Sequence, residues 1–470
     1  MKSKSSNVLF AILCLLISLG FSSCANIIPP GGGPRDSIAP RLIMALPKDS
    51  SLNVTTPNII LSFDEYITLQ NTNENLIISP NPKNIPLVDS KLHNITIKMR
   101  DSLEKNTTYS FNFGKAIKDV NEGNVAKELT YVFSTGNKID SNQYNGSVFL
   151  AETGKPDSTL LVVLHNNTHD SSIQKNRPRY YAKVNGKGGF SFKFLPEGTF
   201  AVYVVPNDFS KKYDDSTKIF AFLNEPILIN SNTRNDTLFA YQEFKKKEPK
   251  ALPTSSNNNK PKTTSTEDKR LKYTSNLEMG GQQDLLTPLE LAFARPLKKW
   301  DSTKIVLYDT LYQPIIGYKL SIDTGNTKIS LVYPWKEKQQ FRLIVSKDAV
   351  TDTTGISLTK SDTAKIITKR DAEYGSMRLR FTNIDLTKHP VIQLVVDNKV
   401  FESYPITGKE FIKKRFKPGE YEIRFLFDSN QNGIWDPGSY KEKRQPELVK
   451  TFVKKLLIRP DRDTDQSFVF

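Results

Sequence analysis

The sequence predicts an all-β protein built as a tandem series of β-sandwich domains. Phe and Tyr are frequent, at 27 and 18 residues, and with Val, Ile and Thr they fall in short runs that favour strands. Stretches such as Ile95-Thr96-Ile97-Lys98-Met99 alternate apolar and polar positions as a half-buried strand does. Past the first two dozen residues, no stretch holds the 3.6-residue period of an amphipathic helix.

At ~100–150 residues per domain, 470 residues make three or four domains. The formal charge of +16 fits anionic lipid, acidic glycan or nucleic acid, or simply a solvated Lys-rich surface. The chain has no zinc-finger spacing, RNA-binding aromatic motif or helix-turn-helix, so nucleic acid is not an expected partner. Cys14 and Cys24 are the only cysteines. The body therefore has no disulfide and no thiolate-held metal.

The chain opens with Lys2 and Lys4 and an apolar run from Val8 to Phe21. A spanning helix needs ~20 apolar residues, and this run is shorter, the length of a signal-peptide core. It ends in Phe21-Ser22-Ser23-Cys24, which resembles a bacterial lipobox, although Phe21 stands where Leu is more usual. That resemblance implies that residues 1–23 are removed and that Cys24 is acylated. Residues 24–38, with Pro29-Pro30-Gly31-Gly32-Gly33-Pro34, cannot pack as helix or strand and read as a tether.

The body reads as two kinds of unit, each used twice. In residues 39–137, Ile59-Ile60-Leu61-Ser62-Phe63 makes a strand that ends in Asp64 and Glu65. Tyr109-Ser110-Phe111-Asn112-Phe113 makes another, then Asp119 to Asn124 turn, and Tyr131-Val132-Phe133 closes the unit. Residues 272–369 repeat that order with Leu289–Phe293, Phe341–Val345 and the turn Asp352-Thr353-Thr354-Gly355. Residues 146–243 and 374–470 share a Pro/Gly turn feeding an aromatic-led strand: Leu195-Pro196-Glu197-Gly198-Thr199-Phe200 in one, Phe416-Lys417-Pro418-Gly419-Glu420-Tyr421 in the other. Between the halves, residues 244–271 are rich in Lys, Asn, Ser and Pro and lack apolar periodicity. They read as a flexible linker, so the two halves are expected to move independently.

On Ile60–Ile67, Asn106–Tyr109, Asp119–Asn124 and Tyr131–Gly136, the first unit resembles the bacterial Ig-like domain of the S-layer type found in lipoproteins of the Bacteroidetes. The third unit is a divergent copy. The second and fourth resemble transthyretin-like or carboxypeptidase-regulatory-like sandwiches, on the Pro/Gly-aromatic turn alone. The resemblance implies an envelope location and carries no active site. Secreted proteins of that phylum are often O-glycosylated at Asp-Ser/Thr followed by an apolar residue or Thr. Here that pattern falls on Ser37, Ser102, Ser158, Ser216, Thr237, Ser302, Thr310, Thr353 and Thr363. Asp-Ser and Asp-Thr are also good turn formers.

Catalytic signatures are sparse. His165 and His169 stand four apart, but Leu160–Leu164 is strand-like and the acid of a His-Glu-x-x-His motif is missing, so no zinc site is expected. Neighbouring Asp64 and Glu65 would point to opposite faces of a strand and not converge as a glycosidase pair. The most specific local signal is Asp428-Ser429-Asn430-Gln431-Asn432-Gly433-Ile434-Trp435-Asp436. Oxygens at alternate positions with Gly sixth resemble a calcium loop, with Asp428, Asn430, Asn432, Asp436 and the Ile434 carbonyl as ligands; Ser439 stands where the bidentate Glu would be. The bland alternative is a polar hairpin. No cofactor is required, and calcium is the one candidate ion.

The expected function is a non-catalytic envelope lipoprotein, a scaffold or binding module at the outer membrane. Its expected partners are the membrane, through the N-terminal lipid, and an envelope protein or glycan. A surface adhesin or glycan-binding lipoprotein is the alternative, and a hydrolase accessory protein a third class. The sequence names neither ligand nor membrane leaflet.

Overall fold

The computed structural model describes residues 35–126, 128–243 and 270–470. The leader, Cys24, most of the tether and linker residues 244–269 lie outside that range. The chain is all-β, with separate hydrophobic cores along its length.

In the first domain, Asn58–Phe63 turns Ile59, Leu61 and Phe63 inward and leaves Ile60 half in water. It pairs antiparallel with Leu42–Leu46 on one side and Asn94–Lys98 on the other, and Leu87–Lys91 forms the outer edge. The facing sheet holds Ile77–Ser79, Thr108–Asn112 and Thr130–Ser134. Phe111, Tyr131 and Phe133 fill the space between the layers, each contributing about 1.5–3 kcal/mol of burial. A ribbon of Ile67–Leu69 with Ile117–Asp119 closes one end.

The third domain repeats this plan. One sheet runs Tyr273–Ser275, Leu289–Phe293, Lys328–Val332, Lys319–Ile322; the other contains Ile305–Tyr308, Gln340–Val345 and Asp362–Thr368; Leu297–Trp300 pairs with Val350–Asp352. The turn aspartates do the same work in both domains. Buried Asp119 accepts from the backbone N–H groups of Glu122, Gly123 and Asn124 at 2.6, 3.0 and 2.7 Å. Buried Asp352 accepts from those of Thr354 and Ile356, both at 2.9 Å.

The second and fourth domains share a different signature, a parallel pairing of first and last strands. Asn142–Leu150 runs beside Asp236–Gln242, and Gly375–Thr382 beside Asp463–Val469. The strands fed by the Pro/Gly turns, Gly198–Pro206 and Gly419–Phe427, lie centrally in their sheets. Strand Leu160–His165 is buried along its whole length. One face packs in the sandwich core, with Leu160, Val162 and Leu164; the other, with Leu161 and Val163, lies under a second apolar cluster.

Two readings of the sequence need correction. Leu271, placed at the end of the linker, is 2% exposed, bridges to Leu358 and belongs to the third domain's core, because it is the apolar residue that begins the inward pattern. The expectation that the halves move independently also fails: the second apolar cluster contains Tyr440 of the fourth domain, and the two domains dock. At the other end, Arg35 donates to the Glu122 carbonyl at 2.7 Å and Asn124 to the Asp36 carbonyl at 3.0 Å, so the end of the tether lies on the first domain's turn.

Candidate functional site

Strand Gly419–Phe427 delivers Asp428, 1% exposed, to the start of the Asp428–Asp436 loop. Its carboxylate accepts from the backbone N–H groups of Asn432 at 3.2 Å and Gly433 at 2.6 Å. Gly433 takes φ +76°, a left-handed bend that an L side chain would strain. Asn430 Oδ1 accepts from the Asn432 N–H at 3.1 Å, and Asn432 Oδ1 from the Ile434 N–H at 2.7 Å. The amide nitrogens of Asn430 and Asn432 both donate to Asp436 Oδ2 at 2.7 Å. The structure thus brings the sequence-predicted side chains together in one ring, with donors of the two amides turned toward Asp436. A half-turn of each amide would present oxygen there instead. Among the described residues no group of three or more His, Cys, Asp or Glu side chains is placed to hold a metal ion.

Sequence reasoning missed Glu447. Its carboxylate accepts from the Ser429 N–H and hydroxyl, both at 2.7 Å, and from the Asp436 N–H at 3.1 Å, so it ties the two ends of the loop. Its carbonyl accepts from the Trp435 indole at 2.8 Å. No local pattern marks Glu447, because the hairpin between it and Asp436 hides the contact.

That hairpin reaches the second domain. Tyr440, 7% exposed, stands edge-on to Phe220 and Phe222, with ring centroids at 5.1 Å in each case. Its hydroxyl donates to the Asp170 carbonyl at 2.9 Å and lies 3.2 Å from the Tyr203 hydroxyl. Burial, followed by the bond to Tyr203, pushes the phenol far above its ordinary range. Lys443 covers the Tyr440 ring at 4.3 Å and pairs with Asp170. Gln445 donates to the Phe222 carbonyl at 3.1 Å and to Asn224 at 2.8 Å. Farther along, Val449 N–H donates to the Ala151 carbonyl at 3.2 Å, and Lys155 pairs with Glu422 at 3.0 Å. Gly438 lies so close to the Tyr241 ring that an added Cβ would meet it at 2.6 Å.

The remaining candidates fall as follows. His165 is buried beneath this joint, edge-on to Tyr203 at 5.7 Å, and its Nε2 has no hydrogen-bond partner. Burial, helped by Lys212, holds it down to about 4, so it is neutral. His169 lies exposed in the following loop, and the two do not converge. Asp64 caps the Arg41 N–H at 2.8 Å. Glu65 is raised by burial and by the carboxylates of Asp119, Asp64, Asp36 and Glu122. Ser37, Ser102, Ser158, Ser216, Thr237, Ser302, Thr310, Thr353 and Thr363 are all exposed. The aspartates before several of them also organise turns: Asp157, Asp215, Asp301 and Asp309 each accept a backbone N–H two residues on.

Residues 36–135 match the family described as "Bacterial Ig-like domain". No curated protein matches the sequence. Among solved structures, the chain is similar to native alpha-2-macroglobulin from Escherichia coli at 12% identity, covering 39% of this chain and 72% of that one, with a TM-score of 0.20. It is similar to the TIE protein of Bacillus anthracis at 10% identity, covering 94% and 75%, TM-score 0.17. It is also similar to the major pilin subunit of Bacillus cereus at 9% identity, covering 70% and 99%, TM-score 0.16. Likeness at such TM-scores carries no argument about function.

Proposed function

We propose that the chain is an exported, non-catalytic lipoprotein, held at the outer membrane by acylated Cys24, that serves as a scaffold or binding module of the cell envelope. The observation that carries this reading is the bacterial Ig-like match over residues 36–135, preceded by a short Pro/Gly-rich stretch and an apolar leader ending in Phe21-Ser22-Ser23-Cys24. The docking of the second and fourth domains supports a scaffold role, because it turns a series of sandwiches into a frame with a fixed joint. Among the described residues no helix is long and apolar enough to cross a membrane. The test is mass spectrometry of the N-terminus of chain extracted from membranes. An acylated Cys24 as first residue is expected, and a free thiol or an N-terminus elsewhere contradicts the anchor. Protease shaving of intact cells then separates a periplasmic scaffold from a surface adhesin.

Within this reading the Asp428–Asp436 loop takes one calcium ion through Asp428, Asn430, Asn432, Asp436 and the Ile434 carbonyl. With two charged ligands and no bidentate Glu, its affinity sits at ~10⁻⁴–10⁻³ M. Calcium at 1 mM should then raise stability by about 0.4–1.4 kcal/mol. A melting temperature unmoved by calcium or chelator, with Asp428→Ala no different in its response, leaves the loop a hairpin. The exposed Asp-Ser and Asp-Thr positions are proposed glycan acceptors, read out by the same mass spectrometry.

A further inference from the structure

The first and second domains leave a groove of about 670 Å³ beside their contact, and its walls differ in chemistry. The first domain's wall is apolar, with Leu76 and Ile78 at its base and Ile85 and Leu87 at its rim, the last two 58% and 52% exposed. The second domain's wall is cationic and aromatic, with Arg177, Lys183, Lys211, Tyr181 and Phe209. Phe209 is 77% exposed. Large apolar side chains left in water around one concavity mark an interaction surface.

The cations of that wall are engaged by aromatic faces and carbonyls rather than by carboxylates. Arg177 lies over Phe209 at 5.4 Å and donates to the Lys83 carbonyl at 3.2 Å. Lys211 lies over Tyr181 at 5.0 Å, and Lys183 donates to the Glu74 carbonyl. Of the two carboxylates in the lining, Asp208 pairs at 2.6 Å with Lys218, a lysine it shares with Asp214 at 2.7 Å, so Asp208 and Glu74 together stand against three cations. Both walls also carry an edge strand, Leu87–Lys91 on one and Tyr180–Lys183 on the other. An edge strand has a row of backbone donors and acceptors unpaired by its own sheet.

We propose that this groove binds an extended, strand-like segment of a partner protein in which acidic and apolar side chains alternate. Successive side chains of an extended chain point to opposite sides. Such a segment sends its carboxylates to the cations of the second domain and its apolar side chains to Ile85 and Leu87 of the first. Main-chain pairing with a free edge adds affinity without sequence preference. An acidic glycan would use the cations and stack on Phe209, but it would leave Ile85 and Leu87 in water. The inference goes beyond the envelope-scaffold reading and does not depend on the lipid anchor.

The test uses chain spanning Ala25 to Phe470 and a fluorescent eight-residue peptide alternating glutamate and valine. Controls are a block peptide of the same composition, an alternating lysine–valine peptide and an oligogalacturonate. The expected result is saturable binding of the alternating acidic peptide that weakens as salt is raised. The Arg177→Gln/Lys211→Gln variant should weaken it about tenfold or more. Leu87→Ser and the exposed-site variant Phe209→Ala should weaken it too, with melting temperatures kept. Equal binding of the block or lysine peptide, no binding of the acidic one, or indifference to all three variants overturns the proposal. Oligogalacturonate binding that is lost in the same variants, without peptide binding, assigns the groove to an anionic glycan and also overturns it. None of these outcomes bears on Cys24, so the anchor stands or falls separately.

Discussion

The second domain meets the first and the fourth in opposite ways. Toward the first, the contact is polar: Arg179 grips Glu104 with two bonds of 2.7 and 2.6 Å, and Asn81 bonds to the Arg179 and Pro178 carbonyls at 2.8 and 3.0 Å. A groove stays open beside it. Toward the fourth, an aromatic plug, Tyr440, fills a pocket of Phe220, Phe222, Tyr203 and Tyr213, and a concavity of about 580 Å³ bordered by Asp170, Asp214, Asp215 and Glu243 remains beside it. The difference follows from side-chain chemistry. Desolvated aromatic rings gain burial and edge-to-face contact together, whereas an exposed ion pair gains ~0–1 kcal/mol and leaves water in place. The plugged joint is suited to holding the frame, and the groove with exposed apolar and cationic walls to receiving a ligand.

The largest effect expected from breaking this contrast is at Tyr440. Tyr440→Ala should cost about 3–5 kcal/mol of docking, by analogy with other buried aromatic truncations. Thermal unfolding should then show the fourth domain melting apart from the second, where the parent melts them together; identical melting curves would mean that the plug does not hold the joint. Next comes the buried imidazole under the same joint. His165 titrates near 4 when folded and ~6.5 when unfolded, so the unfolded chain binds the extra proton between those values. Its contribution is fully present above pH ~6.5 and is lost as pH falls toward 4, on the order of 1–3 kcal/mol. His165→Leu should flatten the dependence of the melting temperature over that window; an unchanged slope counts against a neutral buried imidazole. The smallest effect belongs to the open joint. Arg179→Gln should cost ~1 kcal/mol or less by denaturant unfolding, because half of the Glu104 side chain is in water.

How much of this was legible in the sequence depended on which face a residue buries. Ile59, Leu61 and Phe63, or Ile95 and Ile97, alternate because one side of their sheet meets water, and that period survives in a single sequence. The Asp119 and Asp352 turns were legible because a short polar side chain collecting nearby N–H groups is a local device. Leu160–His165 has no alternation, because both faces are covered, one by the sandwich core and the other by a cluster of the domain's own Ile173, Tyr213 and Phe220 with Tyr440 of the fourth domain. Tyr440, the part of that cluster contributed by the fourth domain, is 237 residues from Tyr203, and no local spacing carries that contact. Composition reads residues 244–271 as a linker, but it is silent on whether the domains on either side touch. The candidate loop was half legible. Alternate oxygens and Gly433 were plain, while the brace from Glu447 depends on the hairpin's return.

The second and fourth domains dock into one body, which sets the frame on which the groove is carried. Chain beginning at Ala25 contains no cysteine, so spin labels can be placed at Asn232→Cys and Lys409→Cys without interference. Both positions are exposed, one in each domain. Pulsed electron–electron resonance should give a single narrow distance distribution between them, broadened by Tyr440→Ala. A broad distribution in the parent chain, unchanged by that substitution, would contradict the account.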